Sequence, residues 1–345
     1  CEAAGGTRSL SFQQGATVAL RDLILPGSTA TTNIVLRSST SGQKWKLAVS
    51  GYRCVRGVNV KDCDASPGVS INATSSRDSG GNLHWTFDAF SLWLGTSGAD
   101  FNTAANWSPV GVPGATTPVL VNVANPMTIT GTVTVLDLTV GGGAGTAAVT
   151  ANAALTSVQN ITILSNGTLT LNRPSVVSNG LYVLAGGTLL FYGPETTEIN
   201  KLNVTVYGDM GVDVGGTVNV NSKGYGGGSG PGVNGSYGGH GSLNGPCYGS
   251  IVAPTNLGGG ALTGSGINGG GAILLTISGA FCNNGLICAN GGDIWGAAGG
   301  SIWLTSGTLT GAGVIQANGG NGGGHVSYGG GGRVALVVTN ADADF

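Results

Sequence analysis

Charge is scarce in this chain. Of 345 residues only 8% are Asp, Glu, Lys or Arg, and the formal net charge is −2. That balance excludes the basic footprint of a nucleic-acid binder and the polybasic patch of a peripheral membrane protein. Histidine is almost absent. His84, His240 and His325 stand far apart, and no two cysteines form a CxxC pair, so no zinc site is expected. No run approaches the roughly 18 to 20 apolar residues that span a bilayer. The first residue is Cys1, with neither an initiating methionine nor a signal-peptide pattern, and the expectation is a mature product or an excised piece. Low charge alone would suit a disordered chain, but 41% of the residues are hydrophobic and many of them alternate.

Catalytic patterns are missing too. Asp62, Asp64 and Asp78 form the densest acidic cluster, and "KDCDAS" reads as a polar turn. Asp209 and Asp213 flank the short "DMGVD", again as solvated turn residues. Asp293 in "GGDIWG" does not complete or repeat the calcium-binding nonapeptide. The glycine runs lack the Lys-Ser/Thr of a phosphate loop, and no G-x-S-x-G elbow exists. The expectation is a protein that is not an enzyme and carries no cofactor.

What the chain does have is glycine and alternation. Glycine supplies 67 residues, 24 in positions 1–207 and 43 in 208–345. Short runs such as "NIVLRS", "KWKLAVS", "NITILS", "GTLTLN" and "KLNVTVYG" alternate with period two between Gly, Asn, Ser or Pro. That is the signature of strands and turns. A recurring "GT" at Gly131, Gly145, Gly167, Gly187, Gly216 and Gly307 opens several of them at irregular intervals, as in solenoid coils with turns of variable length.

The sharpest repeat aligns "GGAILLTI" (270–277), "GGSIWLTS" (299–306) and "GGRVALVV" (331–338). Between them "GLICANGG" (285–292) matches "GVIQANGG" (313–320). The pattern predicts coils of two short strands joined by glycine turns. Ile273, Ile302 and Val334 should form one inward column, and Leu275, Leu304 and Leu336 a second. Ile287 and Ile315 should form a third, beside Ala289 and Ala317. Asn290 should lie beneath Asn318, about one strand spacing or ~4.8 Å away. Parity then sends Trp303 and Arg333 out of the core. Trp85, Trp93 and Trp107 read as core at a junction between modules.

Residues 223–268 hold few aliphatic side chains to bury and read as a glycine-rich insertion. It is either a loop or a set of glycine strands packed in polyproline-II form. Its Tyr225, Tyr237, His240 and Tyr248 could offer a sugar-stacking surface, or anchor the insertion. Trp303, facing outward, is a further candidate for partner contact or for cover by the insertion.

"TTNIVLRSSTSGQKWKLAVSG" with "VNVKDCDAS" and "HWTF" resembles the closing coils of a module common in large bacterial surface proteins. "WLGTSGADFNTAANWSPVGVPGA" resembles the opening of the next module, and "GGSIWLTSGTLTGAGVIQANGG" with "GGGGRVAL" the glycine-rich coils that follow. The family is the autotransporter-like, glycine-rich parallel β-helix. The resemblance implies an all-β, right-handed parallel β-helix, divided into closing coils at 1–91, a module at 92–215 and glycine-rich coils at 216–345. It implies an extracellular or cell-surface protein of structural or adhesive kind: a self-associating fibre, sheath or filament, with cell-surface glycans as alternative partners. The chain departs from the family in Cys54, Cys63, Cys282 and Cys288, which suggests added cross-links. With six cysteines and few charges, an oxidising compartment is expected, with Cys54 paired to Cys63 and Cys282 and Cys288 also oxidised.

Overall fold

The computed structural model describes residues 8–26, 34–51, 53–74, 76–87, 90–96, 98–232, 234–241, 245–262, 266–322 and 328–340. Among these residues the regular structure is β-strand, apart from 3-10 turns such as Ala104–Asn106. The chain divides into two compact units, up to Ser91 and from Leu92 onward.

In the first unit Arg8–Phe12, Ile34–Ser38, Val58–Val60 and Arg77–Asp78 form one sheet. Thr17–Leu20, Trp45–Val49 and Cys63–Asp64 form a second. Leu23–Pro26, Arg53–Arg56, Ile71–Thr74 and Trp85–Thr86 form a third. Every described pairing here is parallel. Each sheet takes every third strand, so the chain contributes to all three in turn and returns one strand further on. Alternation drives this: Trp45, Leu47 and Val49 are buried while Lys46 is exposed. Phe12 stacks on Trp45 with ring centroids 3.8 Å apart.

The second unit repeats the scheme with sheets of nine, seven and seven strands. Its first sheet opens with Leu92 and Trp93 antiparallel to Ser108 and Trp107. Trp93, Trp107 and Phe101 meet edge to face at 5.0 and 5.1 Å, all three buried in the core of this unit, whereas Trp85 belongs to the first unit, where it is half-buried and stacks on Phe87 at 6.0 Å. The other described pairings are parallel, and the sheets run through residues 215–216 without a break.

The predicted columns are present. Ile273, Ile302 and Val334 are in register, as are Leu275, Leu304 and Leu336. Ile287 pairs with Ile315, and Asn318 N donates to Asn290 Oδ1 at 2.8 Å. Each circuit, however, carries three strands rather than two. Ala280–Asn283 and Thr308–Thr310 supply the extra one, too short to show alternation in sequence. The step between neighbouring strands of one sheet is 28 residues from Phe281 to Leu309 but 71 from Met210 to Phe281. The long step contains the glycine-rich insertion.

Candidate functional site

The insertion is held by backbone packed against backbone. Gly224 N donates to Gly269 O, Gly258 N to Gly270 O, Gly270 N to Ala298 O and Gly299 N to Gly330 O, at 2.7 to 3.0 Å. A Cβ built on Gly258, Gly260, Gly269 or Gly270 would lie 2.0 to 2.4 Å from a carbonyl oxygen of an adjacent segment. Only glycine permits that approach. Backbone groups that a loop would leave to water are thereby paired inside the protein.

Tyrosines pin this layer to the sheet that holds Leu202–Val206, Ala272–Ile277, Ser301–Ser306 and Arg333–Val338. Tyr237 is wholly buried and donates from its hydroxyl to Ser301 Oγ at 2.5 Å; Ser301 Oγ in turn donates to Asn256 O at 2.5 Å. Tyr248 packs against Tyr237 with centroids 4.8 Å apart and donates to Leu257 O at 2.5 Å. Arg333 leaves the core, as parity requires, and reaches Gly249 O with its guanidinium 5.2 Å from the centre of the Tyr237 ring. Burial, with Glu198 nearby, pushes the Tyr225 hydroxyl up to about 12. Burial also raises Tyr237 and Tyr248.

Of the four residues considered for sugar stacking, Tyr225 and Tyr237 are buried and Tyr248 is tied to backbone, so these four do not form an open platform of stacked rings. His240 is exposed, with Nδ1 2.9 Å from Gly245 O. The anchoring alternative is the one the geometry supports. Trp303 points outward between Leu274 and Ala335, half-buried. His325 and Cys1 lie outside the described residues.

Glu198 is the hub beneath this layer. Its Oε1 accepts from Leu257 N at 3.0 Å and Asn256 Nδ2 at 3.1 Å. Its Oε2 accepts from Lys201 Nζ at 3.0 Å and from the same Asn256 nitrogen at 3.2 Å. No sequence motif announced this cluster, because Asn256 enters from the far side of the insertion.

The cysteine pairing is corrected. No disulfide joins Cys54 to Cys63, and Cys282 and Cys288 carry free thiols. Cys63 follows Cys54 by nine positions, but the chain turns two corners between them, at Gly57 and Asp62, both with positive φ. Cys54 therefore faces Ile24 in one sheet and Cys63 faces Trp45 in another. Cys282 and Cys288 likewise belong to different sheets. Burial pushes the Cys63 thiol up to about 12 and Cys288 up to about 11, away from the reactive thiolate.

The acidic candidates cap turns. Asp62 Oδ2 accepts from Gly42 N at 2.8 Å, and Asp78 Oδ1 from Gly80 N at 2.8 Å. Hydrogen bonds from the Ser66 side chain and backbone hold Asp64 below the usual carboxylate range. Asp209 Oδ1 accepts from Ala280 N at 2.7 Å, across neighbouring strands. Asp293 Oδ1 accepts from Asn321 N at 3.4 Å. Among the described residues no group of three His, Cys, Asp or Glu could hold a metal ion, and no helix is long and apolar enough to cross a membrane. Compared with known proteins, the chain matches no family model, no curated protein and no solved structure.

Proposed function

We propose that the chain is a non-enzymatic, extracellular structural protein, a β-solenoid segment of a surface fibre, sheath or filament. The three-sheet rotation supports a parallel β-helix. Parallel strands of one sheet linked by a crossover are nearly always right-handed, which supports that hand here. One observation carries the functional reading. Among the described residues the inward columns do not end on polar residues: Val334 and Leu336 of the last strand are 43% and 38% exposed. An unpaired parallel edge with apolar residues behind it is a template for further strands. Further circuits of the same kind, from continuing chain or from a second copy, would bury that edge and continue the columns.

Sedimentation and electron microscopy across a range of concentrations test this. Ordered end-to-end assemblies are expected, with Leu336→Asp shifting the population to dispersed particles. Dispersed monomers of the unaltered chain at every concentration would overturn the reading. Turnover of acidic or neutral glycans by the pure chain would overturn its non-enzymatic part.

A further inference from the structure

We propose that Lys201 and Asn256 become joined by an intramolecular amide bond, formed with Glu198 as the proton carrier. The three side chains stand in the arrangement this condensation needs. Glu198 Oε2 accepts from Lys201 Nζ at 3.0 Å and from Asn256 Nδ2 at 3.2 Å, so one carboxylate oxygen bridges the amine and the amide. Leu257 N fixes the other oxygen at 3.0 Å, and Tyr225 lies close enough for the carboxylate to raise its hydroxyl pKa. An exposed ion pair would hold two mobile chains loosely. Here the side chains of Lys201 and Glu198 are 23% and 20% accessible.

The backbones on either side are fixed as well. Lys201 leads into Leu202–Val206, whose Leu202 is fully buried. Asn256 is held through its carbonyl by Ser301 and precedes the fully buried Leu257. Reactants held this way meet at a high effective concentration.

The step balances without oxidant or cofactor. Glu198 takes a proton from the Lys201 ammonium, and the freed Nζ attacks Asn256 Cγ. The Nζ–Cγ bond forms, the protonated Glu198 gives its proton to Nδ2, and the Cγ–Nδ2 bond breaks. Ammonia leaves, takes up the proton shed by the attacking nitrogen, and Glu198 returns to its carboxylate. The product clips the glycine-rich insertion to the sheet that holds Leu202–Val206 and Ser301–Ser306. The inference is independent of whether the chain forms filaments.

Intact-mass measurement of the full chain tests it. The expected result is a loss of one ammonia from the sequence mass. A tryptic digest should yield a branched peptide joining Lys201 to Asn256 in place of cleavage after Lys201. Lys201→Arg keeps the ion pair and Glu198→Gln removes the proton carrier; both should keep the full sequence mass. Succinimide formation at Asn256 would also lose ammonia, but it would persist in Lys201→Arg. That persistence, or a folded native chain of unaltered mass with cleavage after Lys201, overturns the proposal.

Discussion

Gly270, Gly299 and Gly331 occupy the same position of three successive repeats, and none has a positive φ, yet they should respond differently to a methyl group. A Cβ on Gly270 would lie 2.0 Å from Ala289 O, and one on Gly299 would lie 2.3 Å from Ala317 O. On Gly331 it would meet nothing within 4 Å. For Gly299→Ala, the Ala317 carbonyl must retreat by about 1.1 Å to reach the ordinary contact distance of 3.4 Å. That carbonyl accepts from Gly332 N at 2.8 Å, so the retreat also strains a bond between circuits. Overpacking costs about 1–3 kcal/mol and a weakened hydrogen bond about 1 kcal/mol more, giving about 2–4 kcal/mol. Gly331→Ala lacks the clash and restricts the unfolded chain, so it should be neutral or stabilising by about 0.4–1 kcal/mol. Urea unfolding of the two variants beside the parent measures the difference. Equal midpoints would refute the claim that glycine serves backbone contact rather than turn conformation at these positions.

Leu304→Asp places a charge between Leu275 and Leu336 at a fully buried position and should cost about 4 kcal/mol or more, read as a collapsed urea midpoint. Thiol reagents at neutral pH should label the exposed Cys247 and spare Cys63 and Cys288 until the chain unfolds; rapid labelling of all three in the native state would contradict their burial. Cys63, Cys288 and Tyr225 have folded pKa values above their ordinary ones, so their contribution to stability is intact below the ordinary thiol value of 9.0. It should be lost as the pH rises towards about 12, visible as alkaline unfolding with delayed ionisation of the buried tyrosines.

The columns were legible in the sequence because stacking forces like residues to recur at the circuit length. The "GT" pairs at Gly167, Gly187 and Gly216 bring Thr168, Thr188 and Thr217 into register, and their intervals are the circuit lengths themselves. Gly145 breaks the rule: Thr168 pairs with Ala148, two residues after Thr146. The glycine layer was legible only as one of two alternatives, since backbone-to-backbone packing leaves no apolar period with which to choose it over a loop. The cysteine pairing failed for a related reason. Sequence spacing measures contour along the strand, whereas two tight corners carry Cys63 into another sheet. The Glu198 cluster left no local trace, because it forms only when the insertion returns.

The corners add one more argument about how the stack grows. Asn290 N donates to Asn221 Oδ1 at 2.7 Å, and Asn318 N to Asn290 Oδ1 at 2.8 Å. Each asparagine side chain satisfies an amide of the following circuit, so every circuit prepares the corner of the next. Asn160 plays the same part elsewhere, its Oδ1 accepting from Gly180 N at 3.1 Å. A polar corner of this kind needs no charge, and neither does a glycine layer that pairs its own backbone, which is why so few ionisable residues suffice. The same logic makes the last circuit chemically equivalent to those before it. Asn318 is exposed, Val334 and Leu336 lack the layer that covers Ile302 and Leu304, and Gly331 lacks the neighbour that crowds Gly299. If a second copy supplies that layer, Gly331→Ala should become as costly in the assembly as Gly299→Ala is within one chain. Steric blocking confined to the assembled state would distinguish continuation of the stack from lateral association, which would leave Gly331 open.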